Sequence, residues 1–261
     1  MRKLALSDEI LLKVDKAARY IGGEVNSVMK DKNEVEIRFA MCFPDVYEIG
    51  MSNLGMMILY NMFNQREDVW CERLFSPWPD LDKVMREKKI PLFALESQEP
   101  IRDFDFLGIT IGYEMCYTNI LQVLDLSGIP LKSADRGEDF PIVIGGGACA
   151  YNPEPLAPFF DMFYIGEGET VYDALFDAYK ANKKAGGSRR DFLLAAAKIP
   201  GIYVPSLYEV TYKEDGTIAS FAPTADGVPE KVQKQLIIDM EKEYRAVEAP
   251  VVPHIKATQD L

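Results

Sequence analysis

Two kinds of apolar pattern alternate along this chain. The first is a short, nearly continuous apolar run, as a strand covered on both faces requires. Such runs occupy residues 34–41, 91–95, 106–111, 141–144 and 162–165, and residues 69–75 read as a further short strand. The second pattern repeats every three or four positions, as on one face of a helix. It predicts helices over 7–20 (Ile10, Leu11, Val14, Ala18), 53–65 (Leu54, Met57, Ile58, Met62), 79–88, 116–127 and 169–184. Gly128 ends the fourth of these, and Gly186-Gly187 ends the fifth.

Strands that alternate with helices predict an α/β fold with a doubly wound, five-stranded parallel sheet of the flavodoxin-like kind. Ligands of such sheets bind beyond the carboxyl ends of the strands, where strand order reverses. The loops after the strands are therefore the place to look. Beyond residue 187 the pattern changes. A helix is expected over 188–198, and runs at 207–213 and 217–222 flank Asp215-Gly216, a hairpin signal. Four regions follow: a lead-in (1–32), the sheet domain (33–186), a small helix-hairpin appendage (187–227) and an arm (228–261). The arm carries Val228, Leu236, Ile237, Ile238, Val251, Val252 and Ile255, a heavy apolar load for a free tail.

Composition narrows the function. With 261 residues, 48% of them hydrophobic, the chain can bury a sizeable core. A net charge of −12 opposes non-specific binding to nucleic acid or to anionic membranes. No apolar stretch is long enough to span a membrane, and the charged N-terminus lacks a signal-peptide core, so a cytoplasmic protein is expected. Cys42, Cys71, Cys116 and Cys149 are too dispersed for a Cys-x-x-Cys metal motif and read as small buried hydrophobes. His254 is the only histidine, which leaves little material for a zinc site or a Ser-His-Asp triad.

The candidate chemistry lies in four loops. After the first strand come Asp45, Tyr47, Gly50 and Ser52; after the third, Gly112, Tyr113 and Thr118; after the fourth, Gly145-Gly146-Gly147-Ala148; after the fifth, Gly166-Glu167-Gly168-Glu169. Each loop also has a plain structural reading. The glycines can make tight turns, Asp45 can cap a helix, Tyr47 can be a core aromatic, and Glu167 and Glu169 can sit in a first helical turn. A flavodoxin-like nucleotide or flavin binder is a third expectation; no Gly-x-Gly-x-x-Gly follows the first strand, which counts against a dinucleotide.

The run Asp45-x-Tyr47-x-x-Gly50 resembles the Asp-x-His-x-x-Gly loop of cobalamin-binding domains, such as those of methionine synthase and the cobalamin-dependent mutases. In that family the His is the lower axial ligand to cobalt. Tyr47 stands in its place here, and a neutral phenol is a poor cobalt ligand. The family's Gly-Gly lets the dimethylbenzimidazole tail approach the strand that Gly145-Gly146-Gly147 follows in this chain. The order of the loops, with Asp161-x-x-Tyr164-Ile165-Gly166-Glu167-Gly168-Glu169, looks like the N-terminal domain of cobalamin-binding radical SAM enzymes. Asn152-Pro153-Glu154-Pro155-Leu156 and Tyr47 to Ser52 are similar to one poorly characterised branch of that family, over residues 20–255.

The resemblance implies a module that holds cobalamin without a protein His ligand. Its cofactor contacts would come from Asp45, Tyr47, Gly50, Ser52, Gly112, Tyr113, Thr118, Gly145, Gly146, Gly147, Ala148, Gly166, Glu167 and Gly168. It implies no catalytic residue and no protein-held metal in this segment. The partner would be a downstream radical SAM domain of the same polypeptide, carrying the [4Fe–4S] cluster and S-adenosylmethionine. The chain stops at Leu261 before any Cys-x-x-x-Cys-x-x-Cys motif, so it is expected to be the inactive N-terminal part of a longer enzyme of unknown reaction. The competing expectation is a degenerate Rossmann-like domain without cofactor, used for docking or substrate recognition.

Overall fold

A computed structural model describes residues 3–243, 247 and 249–252. Along the chain run α1 (Asp8–Leu11), β1 (Ile37–Phe43), α2 (Tyr47–Met51), α3 (Leu54–Gln65), β2 (Val69–Phe75) and α4 (Pro79–Lys88). Then come β3 (Phe106–Thr110), α5 (Tyr117–Leu126), β4 (Ile142–Gly146), β5 (Met162–Tyr164), α6 (Tyr172–Lys184) and α7 (Arg189–Ala196). The short strand β6 (Ile202–Tyr203), the hairpin β7 (Tyr208–Tyr212) and β8 (Ile218–Pro223), and α8 (Met240–Glu243) complete the order. Local chemistry sets several ends. The Asn53 side chain accepts the Met56 amide at the start of α3, Pro79 opens α4, and Ser188 and Asp191 form a capping box on α7.

The sheet runs β2-β1-β3-β4-β5-β6; β1 to β5 are parallel and β6 pairs antiparallel with β5. One face carries Phe39, Met41, Phe106, Ile144 and Tyr164 beneath α3 and α6. The other carries Ala40, Cys42, Leu107, Val143 and Phe163 beneath α4 and α5. The Phe39 ring is central to the first core, 5.0 Å from Phe63 and 5.8 Å from Phe106. Burying one such side chain stabilises the fold by roughly 1.5–3 kcal/mol.

The doubly wound parallel sheet is as the sequence pattern predicts, with three differences. Residues 91–95 are not a strand of this sheet; they form a buried loop lying against β2, where the Leu95 amide donates to the Arg73 carbonyl at 2.9 Å. Residues 69–75, read as a further short strand, take that place as the outer parallel strand, with Glu72 and Arg73 buried. The expected helix over 7–20 is two short turns, because Lys16 takes a left-handed conformation (φ 51°) between them. The β6 strand has no signature in the sequence, since two residues are too few to show a period.

The buried charges are matched. Arg73 donates to Glu96 at 2.6 Å and to Glu24 at 2.7 Å, and Arg38 donates to Glu72 at 2.6 Å. The arm returns to the sheet domain at two places. Gln235 pairs with the loop after β5, its amide 3.1 Å from the Ile165 carbonyl, while Val251 is buried beside Asn26. Val228 is also buried, whereas Leu236 and Ile238 are exposed. His254 and Ile255 lie outside the described residues. Among the described residues no helix is long and apolar enough to cross a membrane.

Acid stability follows from these pairs. Burial opposes ionisation of Glu24, but its hydrogen bond to Arg73 and the Arg73 charge hold its pKa below the usual carboxylate value. The Arg66 hydrogen bond, aided by Lys180, holds Asp68 far lower. Depressed carboxylates contribute stability above their unfolded pKa that is lost as pH falls through the folded one. Glu72 works the other way: burial raises it, so its contribution is present at low pH and lost as pH rises. With the depressed groups in the majority, the melting temperature should fall between about pH 6 and pH 3. A calorimetric scan showing a higher melting temperature at the acid end would contradict this balance.

Candidate functional site

Strand order reverses between β1 and β3: the chain leaves β1 for β2 on one side and then crosses to β3 on the other. A cavity of about 410 Å³ opens at the carboxyl ends of β1, β3 and β4, on the face covered by α3 and α6. Its presence has a local cause. The side chains of β3 and β4 that face this way are Gly108, Thr110, Ile144 and Gly146, in register as Gly108 with Ile144 and Thr110 with Gly146. The Phe39 ring fills the space over Gly108, where an added Cβ would sit 2.3 Å from a ring atom. Nearer the strand ends nothing fills it. A Cβ on Gly146 or Gly112 would meet no atom within 4 Å.

The walls are Met56 and Leu59 of α3 and Tyr164 and Tyr172 on the side of β5 and α6. Among the described residues no Asp, Glu, His, Lys, Arg or Cys lines the cavity. Polar contacts come from Asn53, Thr110 and the backbone of the glycine loops. Such a site can hold a neutral, mostly apolar body and fix it with a few hydrogen bonds. It offers no general base and no nucleophile among those residues.

The structure brings Gly112, Gly146, Gly147, Ala148, Gly166 and Gly168 together around this cavity. Gly147 takes a positive φ of 103°, and a Cβ there would lie 3.0 Å from the Ile111 carbonyl oxygen. Gly166 (φ 135°) serves the arm: a Cβ there would lie 2.3 Å from the Gln235 carbonyl oxygen. Gly145 faces the opposite core, against Phe163 and Ile111. Asp45 and Tyr113 stand on the loops after β1 and β3 and join across them, the Tyr113 hydroxyl donating to Asp45 at 3.1 Å. Thr118 is exposed on α5. The Ser52 hydroxyl donates to the Ile49 carbonyl at 2.6 Å, and Gly50 is packed under the Phe75 ring. Glu167 is engaged by the arm, its carboxylate accepting the Ile237 amide.

Tyr47 does not line the cavity. Its hydroxyl donates to Glu24 at 2.9 Å and its ring packs edge-on to Phe75, 5.3 Å between centroids. Burial, with the Glu24 charge added, holds the phenol well above its ordinary pKa and so keeps it neutral. Glu24 is itself gripped by both terminal nitrogens of Arg73. Sequence reasoning does not pick out Gly108, Asn53, Met56, Tyr164 or Tyr172 as lining residues. Gly108, a lone glycine inside an apolar strand, is the one visible sign.

Residues 55–205 match the family described as the N-terminal region of radical SAM proteins. The uncharacterized protein MJ0966 of Methanocaldococcus jannaschii is 26% identical over 131 residues, which is 50% of this chain and 24% of that protein. Among solved structures, the chain is similar to the cobalamin-dependent S-adenosylmethionine radical enzyme OxsB with aqua-cobalamin and S-adenosylmethionine bound. There the identity is 14%, the TM-score 0.41, and 79% of this chain and 25% of that one are covered. The radical S-adenosylmethionine methyltransferase TsrM from Kitasatospora setae gives 16% identity and a TM-score of 0.37, covering 75% of this chain and 36% of that one. The chain therefore spans about a quarter of the length of MJ0966 and of OxsB.

The two kinds of glycine are separable by experiment. Gly146→Ala, which projects a methyl group into open space, should leave stability nearly unchanged. Gly50→Ala, which drives a methyl group to within 2.2 Å of the Phe75 ring, should destabilise by about 1–3 kcal/mol. Urea denaturation of the two variants measures the difference; equal midpoints would mean that the space beside β4 is not free.

Proposed function

The chain belongs to the family of N-terminal domains of radical SAM proteins, and from that premise we propose that it is the corrinoid-holding module of a longer radical SAM protein. One observation carries the proposal: an uncharged cavity at the switch point of the sheet, left open beside β4 by Gly146. The dimethylbenzimidazole end of a cobalamin tail is neutral, flat and mostly apolar, and it fits the chemistry of that lining. The order of the loops from Asp45 to Glu169 supports the same ligand.

The lining residues fit the tail, and among the described residues the loop after β1 provides no lower axial ligand. Tyr47 occupies the position that resembles the family's His, and its neutral hydroxyl is committed to Glu24. Cobalt in this site would thus have no protein nitrogen from that loop. When bound, the corrinoid supplies methyl-transfer or radical chemistry. The part of this chain is to bind and orient it: Gly112, Gly146 and Gly147 make room, Met56, Leu59 and Tyr172 exclude water, and Asp45 with Tyr113 marks the mouth. The [4Fe–4S] cluster and S-adenosylmethionine belong to a domain beyond this segment. Among the described residues no group of three or more His, Cys, Asp or Glu could hold a metal ion.

Two variants and one spectrum test this reading. Gly146→Leu should abolish corrinoid uptake at unchanged melting temperature, while Tyr47→Phe should take up corrinoid as the unaltered chain does. Electron paramagnetic resonance of the cob(II)alamin form should show no superhyperfine splitting from a protein imidazole. Uptake by Gly146→Leu as tight as that of the unaltered chain would mean that the tail does not run beside β4. An imidazole splitting would refute the unligated cobalt.

A further inference from the structure

A second and larger cavity, about 590 Å³, lies at the opposite edge of the sheet. It is bounded by the amino ends of β4 and β5, the start of α7 and the β7–β8 hairpin. Its charges are unevenly matched. Each acid in its lining is already taken. Asp161 accepts from Arg136 at 3.0 Å, from Arg189 at 2.7 Å and from the Ser133 hydroxyl at 2.6 Å. Glu138 accepts the Arg189 backbone amide on both oxygens, and Glu154 accepts the Tyr203 hydroxyl at 2.6 Å.

The cations are not all taken. The Arg189 side chain is only 10% exposed, yet its Nε is buried and has no acceptor, although its two terminal nitrogens bind Phe140, Pro141 and Asp161. The Lys132 and Arg190 side chains line the same cavity and are neither hydrogen-bonded nor ion-paired among the described residues. Asp191, next to Arg190, spends its carboxylate on Ser188. A buried donor without an acceptor is destabilising. In a chain with 41 acidic and 29 basic residues, Lys132 and Arg190 line a groove whose own acids are all engaged elsewhere. The hairpin adds a flat wall: the Tyr208 and Phe221 rings are stacked 5.3 Å apart at 12°, and Phe221 is 42% exposed.

We propose that this groove is a separate binding site for an organic anion, with a carboxylate or phosphate head toward Arg189, Lys132 and Arg190 and a planar apolar body against Tyr208 and Phe221. The head meets the exposed Lys132 and Arg190 donors beside the buried Arg189 guanidinium, and charge-assisted hydrogen bonds to arginine are the strong ones. The body covers aromatic surface that a two-stranded hairpin cannot bury by itself. The site lies across the sheet from the corrinoid cavity and does not depend on that assignment.

The test is a calorimetric titration of the full chain with phenyl phosphate, benzoate and inorganic phosphate, each at constant ionic strength. In parallel, nuclear magnetic resonance follows the Arg189 Nε–H signal. Phenyl phosphate or benzoate should bind saturably and shift that signal, and the tighter of the two identifies the head group. The Lys132→Ala/Arg190→Ala double variant, altered only at exposed side chains, should keep its melting temperature and bind at least about tenfold more weakly. Phe221→Ala should abolish the preference for phenyl phosphate over inorganic phosphate. The proposal is overturned if neither acid binds saturably, if the Arg189 signal does not move, or if the double variant binds as the unaltered chain does.

Discussion

A guanidinium buried in the outer strand of a sheet must find carboxylates, and most of this structure's periphery is arranged around that need. Arg73 on β2 is fully buried. Glu96 reaches it from the loop that covers the β2 edge, and Glu24 reaches it from the segment that precedes β1. Removing one partner from such a pair typically costs about 3–5 kcal/mol. Both segments are therefore held. The edge of the sheet is closed against further pairing, since the Leu95 amide takes the Arg73 carbonyl. The lead-in is pinned again where Tyr60 accepts the Val28 amide and Trp70 donates to the Val28 carbonyl.

The same constraint reaches the candidate site. Glu24 has oxygen to spare for the Tyr47 hydroxyl, and Tyr47 sits on the loop after β1. That loop is held from two sides, by the Tyr47–Glu24 bond and by Gly50 wedged beneath Phe75. The side chain that resembles a cobalt ligand in sequence is thus turned to the flank of β2. What remains at the switch point is space without charge among the described residues. Phe39 over Gly108 closes the floor, and Gly146 and Gly112 leave the upper part open. Among the described residues its lining offers room and hydrogen bonds but no ionisable Asp, Glu, His, Lys, Arg or Cys side chain.

Much of this is legible in the sequence. Gly146 stands out because a glycine run after a buried strand announces a close approach, and Gly112 because it ends an apolar run. The outer strand is legible as a short strand but its place in the sheet is not, because Glu72 and Arg73 are each buried against a partner far along the chain, Arg38 and Glu96. Residues 91–95 read as a strand because they are apolar and buried; the burial is right, but their amides go to Leu126, Glu99 and Arg73 and make no strand ladder. Tyr47 can be named but not aimed, since its direction depends on Glu24, 23 residues earlier. Gly166 reads as a ligand contact from its loop position, whereas its free side is filled by Gln235. Pairings at long range leave no local period to read.

The open cavity at the reversal of strand order, uncharged among the described residues, is proposed to hold a corrinoid. The chain produced in cells supplied with hydroxocobalamin, then purified and dialysed exhaustively, tests this directly through its visible absorption spectrum. The account predicts a corrinoid spectrum that co-elutes with the protein in stoichiometric amount. A colourless protein, with all corrinoid recovered in the dialysate, would contradict it.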